Sequence, residues 1–171
     1  MQSFRVIKPT AALVPYVRHY WVLSDDALAP VSERTLPVGC VQMVFHRGRQ
    51  LFSLTEGRLQ PSSFISGQAF GYSDVESTGM LEMIVVVFQP FAAKAFLHMP
   101  VSEFRGMNVN TEEMGDPLLV DLGRRIADMP DRVACIRLIE EFLLSRLYAF
   151  PEYNLKRVST VWEAVNLHPY I

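Results

Sequence analysis

Alternating apolar and polar residues in the first half of the chain predict a series of short β-strands. Residues 41–46 alternate most clearly, because Val41, Met43 and Phe45 fall on one face of the strand and the residues between them fall on the other. Residues 80–89 form the strongest predicted strand, with four consecutive β-branched residues and a proline at its end. Shorter strands are predicted at residues 17–23, 51–54, 64–66 and 70–75. This spacing is typical of a double-sheet sandwich or a small barrel.

Helical spacing replaces the alternation after residue 90. Asp116 and Pro117 suit the cap and the first position of one helix. The next helix, residues 131–149, repeats apolar residues at intervals of three and four. Two further helices are predicted at residues 91–98 and 155–167. The sequence therefore predicts an α+β fold, in which an N-terminal β-barrel or double-sheet sandwich (residues 1–90) precedes a helical subdomain (91–150) and a final helix (151–171).

Composition and charge narrow the class of protein. The chain has 171 residues, of which 50% are hydrophobic and 20% charged, as in ordinary globular domains. The net charge of −2 and the absence of a basic run argue against a DNA-binding surface. The N-terminus lacks the apolar stretch of a signal peptide, and the apolar run that includes residues 84–88 is too short to span a bilayer. We therefore expect a soluble, cytoplasmic protein that does not contact membranes, with Cys40 and Cys135 as reduced thiols.

The sequence offers little for catalysis or metal binding. Its four histidines form no His-x-His pair, which a metal-binding cupin barrel would need. No nucleophile, phosphate-binding or dinucleotide motif is present. We expect a protein that is not an enzyme, with no catalytic residue, no metal site and no cofactor.

A small-molecule pocket is the better functional hypothesis, because small barrels hold ligands among aromatic, apolar and a few polar groups. Candidate residues share faces of the predicted strands, although the pattern leaves open which face looks inward. The alternative is that these side chains simply fill the interior. The candidate ligand-binding residues are His19, Trp21, Gln42, His46, Glu82 and Phe88.

The helix at residues 131–149 has a wide apolar stripe, which suggests a second role. One face of it can pack on the sheet while a flank contacts a second subunit. Packing within one chain is an equally good interpretation. The candidate dimerisation residues are Ile136, Ile139, Leu143 and Leu147.

Several segments occur in an order that resembles a known family. Tyr20-Trp21 follows an opening proline and leucine, and residues 36–45 read LPVGCVQMVF. Ser66-Gly67-Gln68 comes next, then residues 87–92, VFQPFA, and then Glu103-Phe104. Together, over about residues 9–150, they resemble the N-terminal sensor domain of AraC/XylS-type bacterial transcription regulators.

The resemblance implies a cupin-like domain that binds an effector of unknown identity and forms a homodimer. In such regulators DNA is bound by a separate C-terminal pair of helix-turn-helix units, so we expect residues 151–171 to lead toward a DNA-binding part that this chain lacks. Val38 and Gln42 replace the acidic residues of the family pattern, and Phe91 replaces a glycine. A stand-alone cupin-like binding protein or enzyme is the alternative.

Overall fold

The computed structural model describes residues 2–26, 29–35, 39–68, 71–97 and 106–147. In chain order the strands are β1 (Ser3–Ile7), β2 (Val17–Asp25), β3 (Ser32–Thr35), β4 (Gln42–His46), β5 (Phe52–Ser53), β6 (Arg58–Leu59), β7 (Ser63–Ser66), β8 (Ser73–Glu76), β9 (Leu81–Phe88) and β10 (Asn108–Asn110). The helices are α1 (Pro117–Asp128) and α2 (Arg132–Leu147). Short 3₁₀ turns lie at Ala11–Leu13, Ala93–Ala95 and Thr111–Glu113.

The strands form two antiparallel sheets. The large sheet has the order β1-β2-β9-β4-β7-β10, and the small sheet has the order β3-β8-β5-β6. Strand β9 lies inside the large sheet, where Val85 is opposite Trp21 of β2 and Val44 of β4. Among the described residues no strand belongs to both sheets, so the fold is an open double-sheet sandwich with two C-terminal helices. Of the two interpretations that the sequence left open, the sandwich is confirmed and the closed barrel is wrong.

Alternation along the central strands sends their side chains to two different layers. Phe45 of β4 and Ile84 of β9 belong to the main core, which also contains Leu119 and Ile139 from the helices. The residues between them, such as Val44 and Val85, belong to a smaller apolar cluster on the opposite face of the large sheet. One face of this sheet is therefore covered by helices, and the other faces the small sheet.

The predicted start of α1 is confirmed. The Asp116 carboxylate accepts a hydrogen bond from the backbone N–H of Leu119, and Pro117 occupies the first turn. The helix passes close to β7, since a Cβ atom at Gly123 would lie 3.2 Å from the Ser63 hydroxyl oxygen. Helix α2 packs against α1, and its buried apolar residues join the same core.

The predicted helix at residues 91–98 is wrong in its described part. A single 3₁₀ turn, Ala93–Ala95, replaces it. Phe91 has a φ of 66°, in the left-handed region, so an α-helix cannot run through this position. The predicted helix at residues 155–167, like His98 and Glu103-Phe104, lies outside the described residues.

None of the described helices combines the length and the apolar character that a bilayer-spanning segment requires.

Candidate ligand-binding cavity

A cavity of about 530 Å³ lies between the two sheets. Its walls come from alternate residues of β2, β4, β7 and β9 on one side and of β3, β5 and β8 on the other. This volume falls within the range of about 300–1,000 Å³ that is typical of small-molecule sites. The period-2 alternation of the strands therefore produces a core on one face of the large sheet and a cavity on the other.

The large sheet gives the cavity an apolar floor. Val44 and Val85, paired in register at the centre of the sheet, are both buried, and Phe64 lies beside them on β7. Trp21 lies at one side of this floor, and its ring centroid is 5.7 Å from that of Phe4 on the edge strand β1. Such a floor can hold the aliphatic or aromatic body of a ligand.

Neutral polar side chains surround this floor and can orient a ligand through hydrogen bonds. Amides of glutamine and asparagine and hydroxyls of serine and threonine provide both donors and acceptors. Those that line the cavity are Gln2, Thr35, Gln42, Ser53, Gln60, Ser66, Ser73, Ser77 and Asn108.

Among the described residues, the charged groups that line the cavity are all acidic. They are Asp25 of β2, Glu33 of β3 and Glu56 of the β5–β6 turn. No lysine, arginine or histidine occurs among the lining residues in the described part of the chain. Glu56 receives a hydrogen bond from the Arg58 guanidinium at 3.1 Å, on the exposed side of the turn.

Two of the six candidate ligand-binding residues, Trp21 and Gln42, line the cavity. His46 lies one layer behind the lining, where its ring Nε2 is 2.9 Å from the Gln60 side-chain oxygen and its ring centroid is 6.1 Å from that of Phe64. Burial lowers the pKa of His46 below its ordinary value, against a smaller opposing effect of the Gln60 hydrogen bond. Its Nδ1 is buried and has no hydrogen-bond partner among the described residues.

The structure does not bring the other three candidates to the cavity. His19 is half-buried next to an irregularity in the pairing of β2 with β9, and burial and the neighbouring Arg18 lower its pKa. Phe88 is in the main core, where it stacks on Phe96 with ring centroids 5.6 Å apart. Glu82 also lies on the helix side of the sheet, where it pairs with Arg132 at 2.8 Å.

Glu82 takes part in a connection between the sandwich and the helices. The Arg47 side chain, in the turn after β4, donates to the Glu82 carboxylate. The same guanidinium donates to the backbone oxygens of Ile126 and Met129 at the C-terminal end of α1. Arg47 therefore adds a charged donor to two carbonyls at the end of the helix, where positive charge is favourable.

The four candidate dimerisation residues pack within this chain. Ile139 and Leu143 are completely buried and Ile136 is 8% exposed, all within the main core, while Leu147 is partly buried against it. Three of these residues therefore belong to the core of the same chain, and Leu147 lies at its partly exposed edge. Intramolecular packing explains the burial of these residues, and dimerisation through them stays a prediction.

Sequence reasoning missed the walls of the small sheet and most of the apolar floor. Met83 and Val85 share the other face of β9 from the two candidates on that strand, Glu82 and Phe88. A signal was present, because the continuous apolar run of β9 indicated a strand covered on both faces. The polar face of β3 carried no such signal, since its sequence, Ser-Glu-Arg-Thr, has no apolar residue.

A family model described as a domain of unknown function, DUF6597, matches residues 5–110, which is more than half of the chain. The chain belongs to the DUF6597 family. The matched region contains every lining residue of the cavity except Gln2. The cavity is thus a feature of the DUF6597 region, and α1 and α2 follow it in the chain.

Comparison with individual proteins adds little to this family assignment. No curated protein matches the chain. A solved structure, titled "Crystal Structure of CoII HppE in Complex with Tris Buffer", is similar over 51% of this chain and 53% of that chain, with 10% sequence identity and a TM-score of 0.38. The similarity therefore spans about half of each chain. Within the described ranges, no group of three or more His, Cys, Asp or Glu side chains is arranged to hold a metal ion.

Proposed function

We propose that the DUF6597 region of this chain is a cupin-like effector-binding domain of an AraC-type transcription regulator. The observation that carries the proposal is the cavity of about 530 Å³ between the sheets, with an apolar floor and polar walls. A cavity of this kind is the usual form of a small-molecule site. The ordered motifs between Tyr20-Trp21 and residues 87–92, which resemble AraC/XylS-type sensor domains, support the regulator class.

The central strands connect the cavity to the layer of helices on the other face of the large sheet. On β4 Val44 lines the cavity and its neighbour Phe45 packs in the helix-facing core, and β9 repeats this arrangement with Val85 and Ile84. A ligand that binds two arrangements of these strands with different affinity shifts the population between them. In the proposal, the helical layer passes this shift to a homodimer and to a separate helix-turn-helix part that binds DNA.

The first test is a thermal-shift screen of the purified protein against metabolite classes. A ligand that binds only the folded state at a concentration of about 100 Kd raises the free energy of unfolding by about 2.7 kcal/mol. We expect at least one class to raise the melting temperature of the wild type. The variant Val44→Trp places a large ring on the cavity floor, and we expect it to abolish the shift. Its matched control is Val133→Trp, on an exposed position of α2.

Two outcomes would contradict the binding proposal. In one, no class of compound raises the melting temperature of the wild type. In the other, a compound raises the melting temperatures of the wild type and Val44→Trp equally, so that its site is elsewhere.

The regulator class has its own test: we expect the gene to encode two helix-turn-helix units downstream of this region. A reading frame without them would contradict that class and leave the binding proposal in place.

A further inference from the structure

We propose that the cavity selects an organic cation, an amine with an aromatic or aliphatic body. This inference rests on the proposed ligand-binding function of the same cavity. Every charged side chain that lines the cavity in the described part of the chain is a carboxylate, namely Asp25, Glu33 and Glu56. The apolar floor and these carboxylates together match a ligand with an apolar body and one positive charge.

Glu33 is the carboxylate that an ammonium group can use. Its side chain makes no hydrogen bond or ion pair with the residues that the structure describes, whereas Asp25 has an interaction partner and Glu56 is paired with Arg58. Glu33 is itself exposed and lies on β3 in register with Val75 of β8, a buried residue of the cavity wall. A ligand ammonium at this wall therefore gains an ion pair without displacing an internal one.

Two described arginines close to the cavity, Arg34 and Arg18, are not among its lining residues. Arg34 follows Glu33 on β3, but alternation sends it to the outer face, where it makes two hydrogen bonds with the Asp74 carboxylate, at 2.9 and 3.3 Å. Arg18 approaches the lining at one point, with its guanidinium 3.9 Å from the Cys40 sulfur. Among the described lining residues, an anionic ligand would meet three carboxylates and no cationic side chain, so it would lose hydration without gaining an ion pair.

Aromatic groups in the cavity add to the attraction for a cation. Trp21 lines the cavity and Phe64 forms part of its floor. The face of an indole ring attracts ammonium groups more strongly than other aromatic side chains do. The predicted order of affinity is therefore amine, then neutral alcohol, then carboxylate.

The test uses three probes of similar size and different charge, titrated by calorimetry into the wild-type protein at neutral pH. The probes are 2-phenylethylamine, 2-phenylethanol and 3-phenylpropionate. We expect the amine to bind about tenfold more tightly than the alcohol, with the carboxylate weakest, and we expect added salt to reduce this difference. We expect Glu33→Gln to lower the amine's affinity several-fold toward that of the alcohol, with a smaller preference left from Trp21 and the other two carboxylates, and to leave the alcohol's affinity unchanged. The control Glu141→Gln, on an exposed position of α2, should bind all three as the wild type does.

The outcomes separate this inference from the function on which it rests. If the alcohol or the carboxylate binds as tightly as the amine and Val44→Trp abolishes that binding, the cavity is a ligand site and the cation preference is overturned. An amine affinity unchanged by Glu33→Gln also overturns the assigned role of Glu33. If none of the three probes binds, the cation proposal fails, and the metabolite screen decides separately whether the cavity binds ligands.

Discussion

Phe91 adopts a backbone conformation that suits glycine. Its φ is 66° and its side chain is 61% exposed, so the ring gains little from burial while the Cβ atom meets the following carbonyl. The AraC/XylS-type pattern has a glycine at the corresponding place. We expect Phe91→Gly to raise the free energy of unfolding by about 1 kcal/mol, measured by urea denaturation. Phe91→Ala is the control, because it removes the ring and keeps the Cβ atom. Equal stabilisation by both variants would show that the backbone conformation is not the cause.

His46 makes the stability of the fold depend on pH. Burial holds its pKa below the ordinary value of 6.5, so between these two pKa values the unfolded chain binds a proton that the folded chain does not. The contribution of His46 is complete above pH 6.5 and is lost as the pH falls toward its lower, folded pKa. A single histidine can contribute a slope of at most about 1.4 kcal/mol per pH unit within that window.

Urea denaturation at pH 7.5 and pH 5.5 measures this effect, at values chosen on the two sides of the ordinary histidine pKa. We expect His46→Gln to lose less stability than the wild type between the two pH values. His19→Gln is the comparison, because the pKa of His19 is also lowered but its ring is less buried. The role assigned to His46 fails if the wild type and His46→Gln have the same dependence on pH.

At the scale of elements, a buried ion pair joins the two helices. Arg146, in the last turn of α2, donates to both oxygens of the Asp116 carboxylate at the start of α1, at 2.6 and 2.8 Å. Their side chains are 8% and 2% exposed. Arg146 also donates to the backbone oxygen of Phe96 and lies over the ring of Phe142. The pair therefore connects α1, α2 and the 3₁₀ turn that follows β9.

Removing one partner of this pair leaves a buried charge without its counter-charge. We expect Arg146→Met to lower the free energy of unfolding by about 3–5 kcal/mol. The double variant Arg146→Met/Asp116→Asn should recover part of this loss, because asparagine can still cap α1 without a negative charge. Chemical denaturation of the wild type, both single variants and the double variant measures the coupling. Additive losses would mean that the two residues act independently.

The sequence predicted strands and helices well where burial of one face produces a regular spacing of apolar residues. Strands β4 and β9 and the start of α1 agree with the predictions because each is covered by a packed layer on at least one face. It missed β1, β3, β6 and β10, most of whose residues are exposed or half-buried. These strands lie at sheet edges and form through backbone hydrogen bonds to a neighbour, which leave little side-chain pattern.

The candidate site shows the same limit at the scale of the whole molecule. Gln42 and Trp21 were identified because they alternate with core residues on predicted strands. The face that looks into the cavity depends on which layer covers each side of the large sheet, and one strand's pattern does not contain that information. Glu82 and Phe88 were chosen on the face that the helices cover, so the position of α1 and α2 decided what the strand pattern left open.

The homodimer remains a prediction. The burial of α2 residues in the helix-facing core limits which surfaces of the chain can form its interface. Leu143 is completely buried in the core of the single chain, so Leu143→Glu would place an unpaired charge there. This change costs several kcal/mol, comparable to the total stability of about 5–15 kcal/mol that most domains have. We therefore expect Leu143→Glu to lose its folded circular dichroism signal. The control Val133→Glu changes an α2 position that is 65% exposed and should keep the signal.

Light scattering coupled to size-exclusion chromatography distinguishes the two possible roles of this row of residues. If the row is core, as its burial indicates, Leu143→Glu gives unfolded or aggregated protein and no folded monomer. If Leu143→Glu gave a folded monomer from a wild-type dimer, the row would be an intersubunit surface, and the packing of α2 on the large sheet would be wrong. A wild-type dimer that survives Val133→Glu would have its interface on another surface, and the exposed apolar residues Phe4 and Val6 of the edge strand β1 would be the next positions to change.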